Sequence, residues 1–103
     1  MTLRGKQKRF LRSQAHHLQP VVQIGKGGIS DNLLAQIDEV LEKRELIKIS
    51  LLQNTDEVIE EVADVLAETL HCDVVQIIGR ILVVYKPSSK EKYQTISREV
   101  KRI

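Results

Sequence analysis

The 103-residue sequence contains no tryptophan, one phenylalanine, two tyrosines and a single cysteine. Cys72 alone cannot close an internal disulfide, which excludes a small scaffold stapled for secretion. So few aromatic residues also remove the platform on which many single-strand binders stack bases. Apolar runs last only a few residues, far short of the ~20 that span a bilayer. The N-terminus is charged but no apolar stretch follows it, so no secretory signal is expected. Low-complexity tracts and solenoid-length repeats are missing as well. A soluble cytoplasmic protein is the expectation, with no membrane partner.

What is present is a single domain's worth of core and surface. Hydrophobic residues make up 42% of the chain and charged residues 29%, enough to pack a core and solvate the outside. The net charge of +2 conceals a division. Residues 1–30 carry +6 with no acid, residues 31–79 carry −9, and residues 80–103 carry +5. Two basic ends flank an acidic middle.

Hydrophobic periods alternate between helix and strand. Thr2 is placed to cap a first helix in which Leu3, Phe10, Leu11, Ala15 and Leu18 fall near one face, with Pro20 as its stop. Residues 20–25 read as a short strand. Ser30 is a good cap for a second helix, with Asp31 in its first turn and Ile29 and Leu34 at staple positions. Leu33, Leu34, Ile37, Val40 and Leu41 form its stripe, which runs to residue 44. Residues 46–52 alternate as a strand. Asn54 or Thr55 is expected to cap a third helix that buries Val58, Ile59, Val62, Ala63, Leu66 and Leu70. Strands at 74–78 and 81–86 are separated only by Gly79-Arg80, a pair suited to a type II′ hairpin. The order α-β-α-β-α-β-β predicts an α/β fold, a two-layer sandwich on a four-stranded mixed sheet. Residues 1–87 are expected to form the domain. Residues 88–103 read as a basic C-terminal tail, helical near Tyr93, Ile96 and Val100.

Chemistry concentrates at Gly25-Lys26-Gly27-Gly28, between a strand and a helix N-terminus. Glycines allow positive φ and close backbone approach, and a helix start offers free N–H groups, so this is a small anion cradle with Lys26 at its tip. The P-loop spacing is absent. A dinucleotide fingerprint fails too, because Ser30 replaces the third glycine and Glu45 precedes the second strand instead of ending it. What remains is a G-x-x-G loop of the kind that clamps RNA backbone, or else a tight turn that simply needs glycine. Arg4, Lys6, Lys8, Arg9 and Arg12, with His16 and His17 beyond, give the first helix a one-signed surface suited to a polyanion.

Catalytic arrangements are poor. His16 and His17 are adjacent, so on a helix they diverge by about 100° and cannot share a metal through that spacing. His71-Cys72-Asp73 sits where a helix ends, where His71 complements the helix dipole and Cys72 serves as a small buried residue. No enzyme, metal, cofactor or small-molecule substrate is expected.

Three stretches carry a resemblance. Leu11-Arg12 with Ala15-His16-His17-Leu18 and Pro20-Val21-Val22-Gln23-Ile24-Gly25-Lys26-Gly27-Gly28 is the first. The others are Glu45-Leu46-Ile47-Lys48-Ile49, and Val75-Gln76-Ile77-Ile78-Gly79-Arg80 with Val84-Tyr85-Lys86. Together they resemble the CRM domain (chloroplast RNA splicing and ribosome maturation), and more narrowly its stand-alone bacterial YhbY-type members, over residues 2–87. Lys86 stands where the family often carries arginine, which would lose a planar bidentate fork.

The resemblance implies a fold similar to the C-terminal domain of translation initiation factor 3. It also implies an RNA-binding protein that associates with precursors of the large ribosomal subunit and assists their assembly. Gly25, Lys26, Gly27 and Gly28 then contact RNA backbone, and Arg4, Lys6, Lys8, Arg9, Arg12 and His16 extend the contact. The alternative is a ribosomal protein–protein adaptor whose acidic helical face docks a basic partner.

Overall fold

The computed structural model describes residues 3–103, so the expected cap Thr2 lies outside the described residues. The elements are α1 (Gly5–Ala15), β1 (Pro20–Ile24), α2 (Asp31–Arg44), β2 (Leu46–Leu51), α3 (Ile59–Leu70), β3 (Asp73–Ile78) and β4 (Ile81–Tyr85). A 3-10 turn at Glu91–Tyr93 and a short α4 (Ile96–Lys101) follow. The strands form one mixed sheet in the order β1-β2-β4-β3. β1 runs parallel to β2, and β4 lies antiparallel between β2 and β3. The α/β class, the order of elements and the four-stranded mixed sheet are as the sequence predicts.

Local chemistry accounts for several boundaries. The Ser30 hydroxyl accepts from the Leu33 N–H at 3.1 Å and so caps α2. Gly79 takes φ +57 while Arg80 stays at negative φ, which fits the type II′ turn of a two-residue hairpin. Two boundaries differ from expectation. α1 ends at Ala15, and Leu18 lies beyond it in a turn whose N–H reaches the Ala15 carbonyl at 2.9 Å. α3 begins only at Ile59, because the Thr55 hydroxyl accepts from the Glu57 N–H at 3.2 Å and holds that stretch in a turn. Val58, expected in the core, is therefore 47% exposed.

The sheet is buried on both faces, so the expected two layers gain a partial third. Ile47, Ile49, Leu51, Leu82 and Val84 pack with Ile37 and Leu41 of α2 and Val62 and Leu66 of α3. Leu46, Val83 and Tyr85 face the other way, onto Leu11 and Ala15 of α1 and Val100 of α4. β4 marks this in its sequence, since Leu82 through Tyr85 is an unbroken apolar run and all four residues are buried. α1 covers only part of its face. Gln23, Lys48, Ser50 and Gln76, the polar positions of the strands, lie on the part left open.

Residues 88–103 are not a tail outside the domain; they fold back over it. The cause is a pair of carboxylates at the end of α2. Glu45 is fully buried and accepts from the backbone N–H groups of Ser88 at 2.7 Å, Thr95 at 3.0 Å and Ser97 at 3.1 Å. Glu42 accepts from the Ser88 hydroxyl at 2.6 Å, the Ser89 N–H at 2.6 Å and the Ser89 hydroxyl at 2.8 Å. Burial opposes ionisation of Glu45, but its hydrogen bonds outweigh burial and hold the carboxyl below its ordinary range. Glu45 also sits at φ +66, a conformation costly for any side chain but glycine. The hydrogen bonds explain why a carboxylate occupies it. Gln7 of α1 then donates to the Val100 carbonyl at 3.1 Å, tying α4 to the N-terminal helix.

Candidate nucleic-acid interface

The loop Gly25–Gly28 is a closed turn: the Gly28 N–H donates to the Gly25 carbonyl at 3.0 Å, with Lys26 and Gly27 at the exposed tip. Gly28 favours glycine chiefly because it stands at φ +64; a Cβ there would also lie 2.7 Å from Glu57 Oε1, the movable end of a flexible side chain. The same carboxylate oxygen accepts from the Ile29 N–H at 3.4 Å. The backbone donors left to meet an anion are those of Lys26, Gly27, Asp31 and Asn32, since the Leu33 N–H is taken by the Ser30 cap. A groove of about 400 Å³ runs beside them, lined by Gln23, Gly25, Gly27, Gly28, Ser30 and Asn32 among others. Two acids stand at this site, Glu57 behind the loop and Asp31 at the helix start.

A second concavity, of about 480 Å³, opens between the C-terminal half of α1 and the uncovered part of the sheet. Arg9, Arg12, His16 and His17 form its rim. Lys48, Gln76, Ile78 and Val83 lie on the sheet beneath them. Among the described residues no carboxylate lines it. Register places Lys48 and Gln76 on either side of Val83 in neighbouring strands. Lys48 also pairs with Pro20 at the start of β1, whereas the glycine loop follows its end. Five residues of strand separate the two sites, about 16 Å at the usual rise. Gln23 lies between them, paired with Ser50.

The structure thus divides the basic residues singled out in the sequence. Arg9, Arg12 and His16 converge on the cleft, joined by His17. Lys8 acts on Asp73, whose carboxyl burial raises above its ordinary value and Lys8 partly restores. Arg4 donates to the Ile103 carbonyl and shares a separate hollow with Lys6, Arg9 and Ile103. Lys26 stands apart at the loop tip. Lys48 was missed as a binding residue, because a lysine alternating with isoleucines reads simply as the solvated side of a strand.

Other charges on the hairpin are already engaged. Arg80 donates to the Leu51 and Leu52 carbonyls at 3.0 and 2.6 Å, and Lys86 pairs with Asp38 at 3.2 Å. The exposed acids of α2 and α3 lie across the sheet from α1. The His71-Cys72-Asp73 cluster does not assemble a nucleophile. His71 is an exposed left-handed helix end, and burial pushes the Cys72 thiol up to about 11.

The chain matches the family model of the CRS1 / YhbY (CRM) domain over residues 3–86. It is 54% identical over 90 residues to Bacillus subtilis YqeI, named as a probable RNA-binding protein, covering 87% of this chain and 94% of that one. It is 40% identical over 93 residues to a Haemophilus influenzae protein named RNA-binding protein, covering 90% and 94%. The solution structure of Staphylococcus aureus SAV1595 superposes with a TM-score of 0.73 at 48% identity, covering 91% of this chain and 98% of that one. With this span of sequence and fold in common, the chain belongs to the CRS1 / YhbY (CRM) domain family.

Proposed function

We propose that this protein is a non-enzymatic RNA-binding module of the cytoplasm that assists assembly of the large ribosomal subunit. It holds RNA backbone along the β1 side of the sheet. One end of the path is the Gly25–Gly28 loop with Lys26. The other is the α1 cleft with Arg9, Arg12, His16 and Lys48, and the N-terminal cations Arg4, Lys6 and Lys8 widen the field. The observation that carries the reading is the cleft itself: three cations from two elements converge on a concavity with no carboxylate among its described lining residues. A solvated surface normally mixes signs. The ribosomal part of the reading rests on the resemblance to stand-alone CRM proteins.

Crosslinking in cells followed by mapping of the contacted nucleotides tests it. Crosslinks concentrated in precursor large-subunit RNA are expected; crosslinks confined to transfer or messenger RNA would overturn the ribosomal assignment. The adaptor reading has one observation in its favour. Val58 and Val65 stand exposed on or beside α3 among Glu61, Asp64 and Glu68. Co-migration with ribosomal particles that survives RNase digestion, with no RNA shift in a gel, would favour it.

A further inference from the structure

We propose that the cleft under α1 receives a single unstacked nucleotide, so that the RNA recognised is a helix interrupted by an unpaired base. This rests on the RNA-binding reading and goes further, since backbone binding alone would not require the floor of the cleft. Phosphates need cations, and Arg9, Arg12 and Lys48 supply them. They do not need Ile78, which stands 51% exposed on the sheet beneath those cations, beside the fully buried Val83. A base does need such a surface for its face.

The floor also offers a means of reading an edge. Gln76 and Lys48 are half-buried, and their side chains form no hydrogen bond or ion pair with the described residues. They flank Val83 in adjacent strands, about 10 Å apart across it by strand spacing. A ring set against Ile78 would have the Gln76 amide, both donor and acceptor, two residues along the same strand, and the Lys48 ammonium beyond it across β4. Planar groups for the opposite face stand at the rim. The His16 and His17 rings lie 5.3 Å apart at 80°, and the guanidinium planes of Arg9 and Arg12 can stack as well. Tyr85 is buried in the core, Phe10 is half-buried against it and Tyr93 lies in the C-terminal segment, and none of them lines the cleft. The volume, about 480 Å³, falls within the range of small-molecule sites.

The test uses the full chain and RNA hairpins of equal length and charge, one perfectly paired and four with a single bulged A, C, G or U. Fluorescence anisotropy should give about 10-fold tighter binding for at least one bulged hairpin, and Gln76→Ala should bring that ratio close to one. A second measurement guards against a folding artefact in the variant. In NMR titrations of the unaltered protein, nucleoside monophosphates should shift the Gln76 side-chain amide and the Ile78 methyls, whereas inorganic phosphate should shift only the rim. Equal affinity for paired and bulged hairpins, or phosphate shifting the floor as strongly as a nucleotide, would overturn the pocket and leave RNA binding intact. Failure to bind any hairpin at low salt would overturn both.

Discussion

The loop after β1 and the cleft under α1 both begin as basic stretches of sequence, but they differ in what surrounds the charge. At the loop, one lysine stands at an exposed tip, with the Glu57 carboxylate against Gly28 and Asp31 in the first turn of α2, although neither acid lines the groove beside it. At the cleft, Arg9, Arg12 and Lys48 meet with no acid among the lining residues. The loop has a specialised backbone and one cation, Lys26; the cleft has ordinary backbone and three, Arg9, Arg12 and Lys48. A glycine motif therefore reports the shape the chain takes, while the potential at that shape is set by residues brought in from elsewhere. Glu57 arrives at the loop from the β2–α3 connection, and Lys48 arrives at the cleft from β2.

The contrast can be broken at its structural root first. Glu45→Ala removes the acceptor for three backbone N–H groups and releases the C-terminal segment that braces α1. A loss of about 3 kcal/mol in chemical denaturation is expected, since hydrogen bonds to a buried carboxylate are lost and their donors stranded. Amide hydrogen exchange should then rise in α1 and α4 and stay unchanged in the glycine loop; equal loosening of both would contradict the division. Acid should act in the same sense. Glu42 is held down to about 2 from 4.5 by hydrogen bonds from Ser88 and Ser89. A carboxyl depressed in the folded state stabilises fully above its unfolded value, and that contribution fades as pH falls from about 4.5 towards 2.

A smaller effect sharpens the loop side. Gly28→Ala places a side chain at φ +64, and because the Glu57 carboxylate can swing away the cost is chiefly backbone, about 1 kcal/mol. Gly27→Ala, with open space around its Cβ and no positive φ, should cost less than about 0.5 kcal/mol in the same denaturation experiment. The smallest effect concerns charge. Glu57→Gln keeps an acceptor for the Ile29 N–H and removes the carboxylate, so RNA should bind about 3-fold tighter at low salt, and the gain should shrink as salt is added. Weaker binding in anisotropy would show that Glu57 aids the loop's contact with RNA instead of opposing it.

Legibility in the sequence followed the range of the interactions. The α2 stripe, the Ser30 cap and the Gly79-Arg80 hairpin rest on contacts a few residues apart, and all are found where the pattern puts them. The start of α3 was misread because the Thr55 hydroxyl makes a turn where it was expected to cap a helix. The fold of residues 88–103 was hidden for a different reason. Its anchors are Glu42 and Glu45, more than forty residues earlier, and nothing periodic marks them. The candidate site divides the same way. Gly28 at positive φ and the basic stripe of α1 were legible, whereas the convergence of Lys48 with Arg9, Arg12 and His16 depends on how α1 crosses the sheet.

Salt dependence of RNA affinity tests the central contrast most directly, because the log–log slope counts phosphate contacts. Measured on one RNA, Arg9→Ala with Arg12→Ala and Lys48→Ala should lower the slope by roughly two to three units, and Lys26→Ala by about one at most. A slope that falls as far or further in Lys26→Ala than in the triple variant would contradict the account.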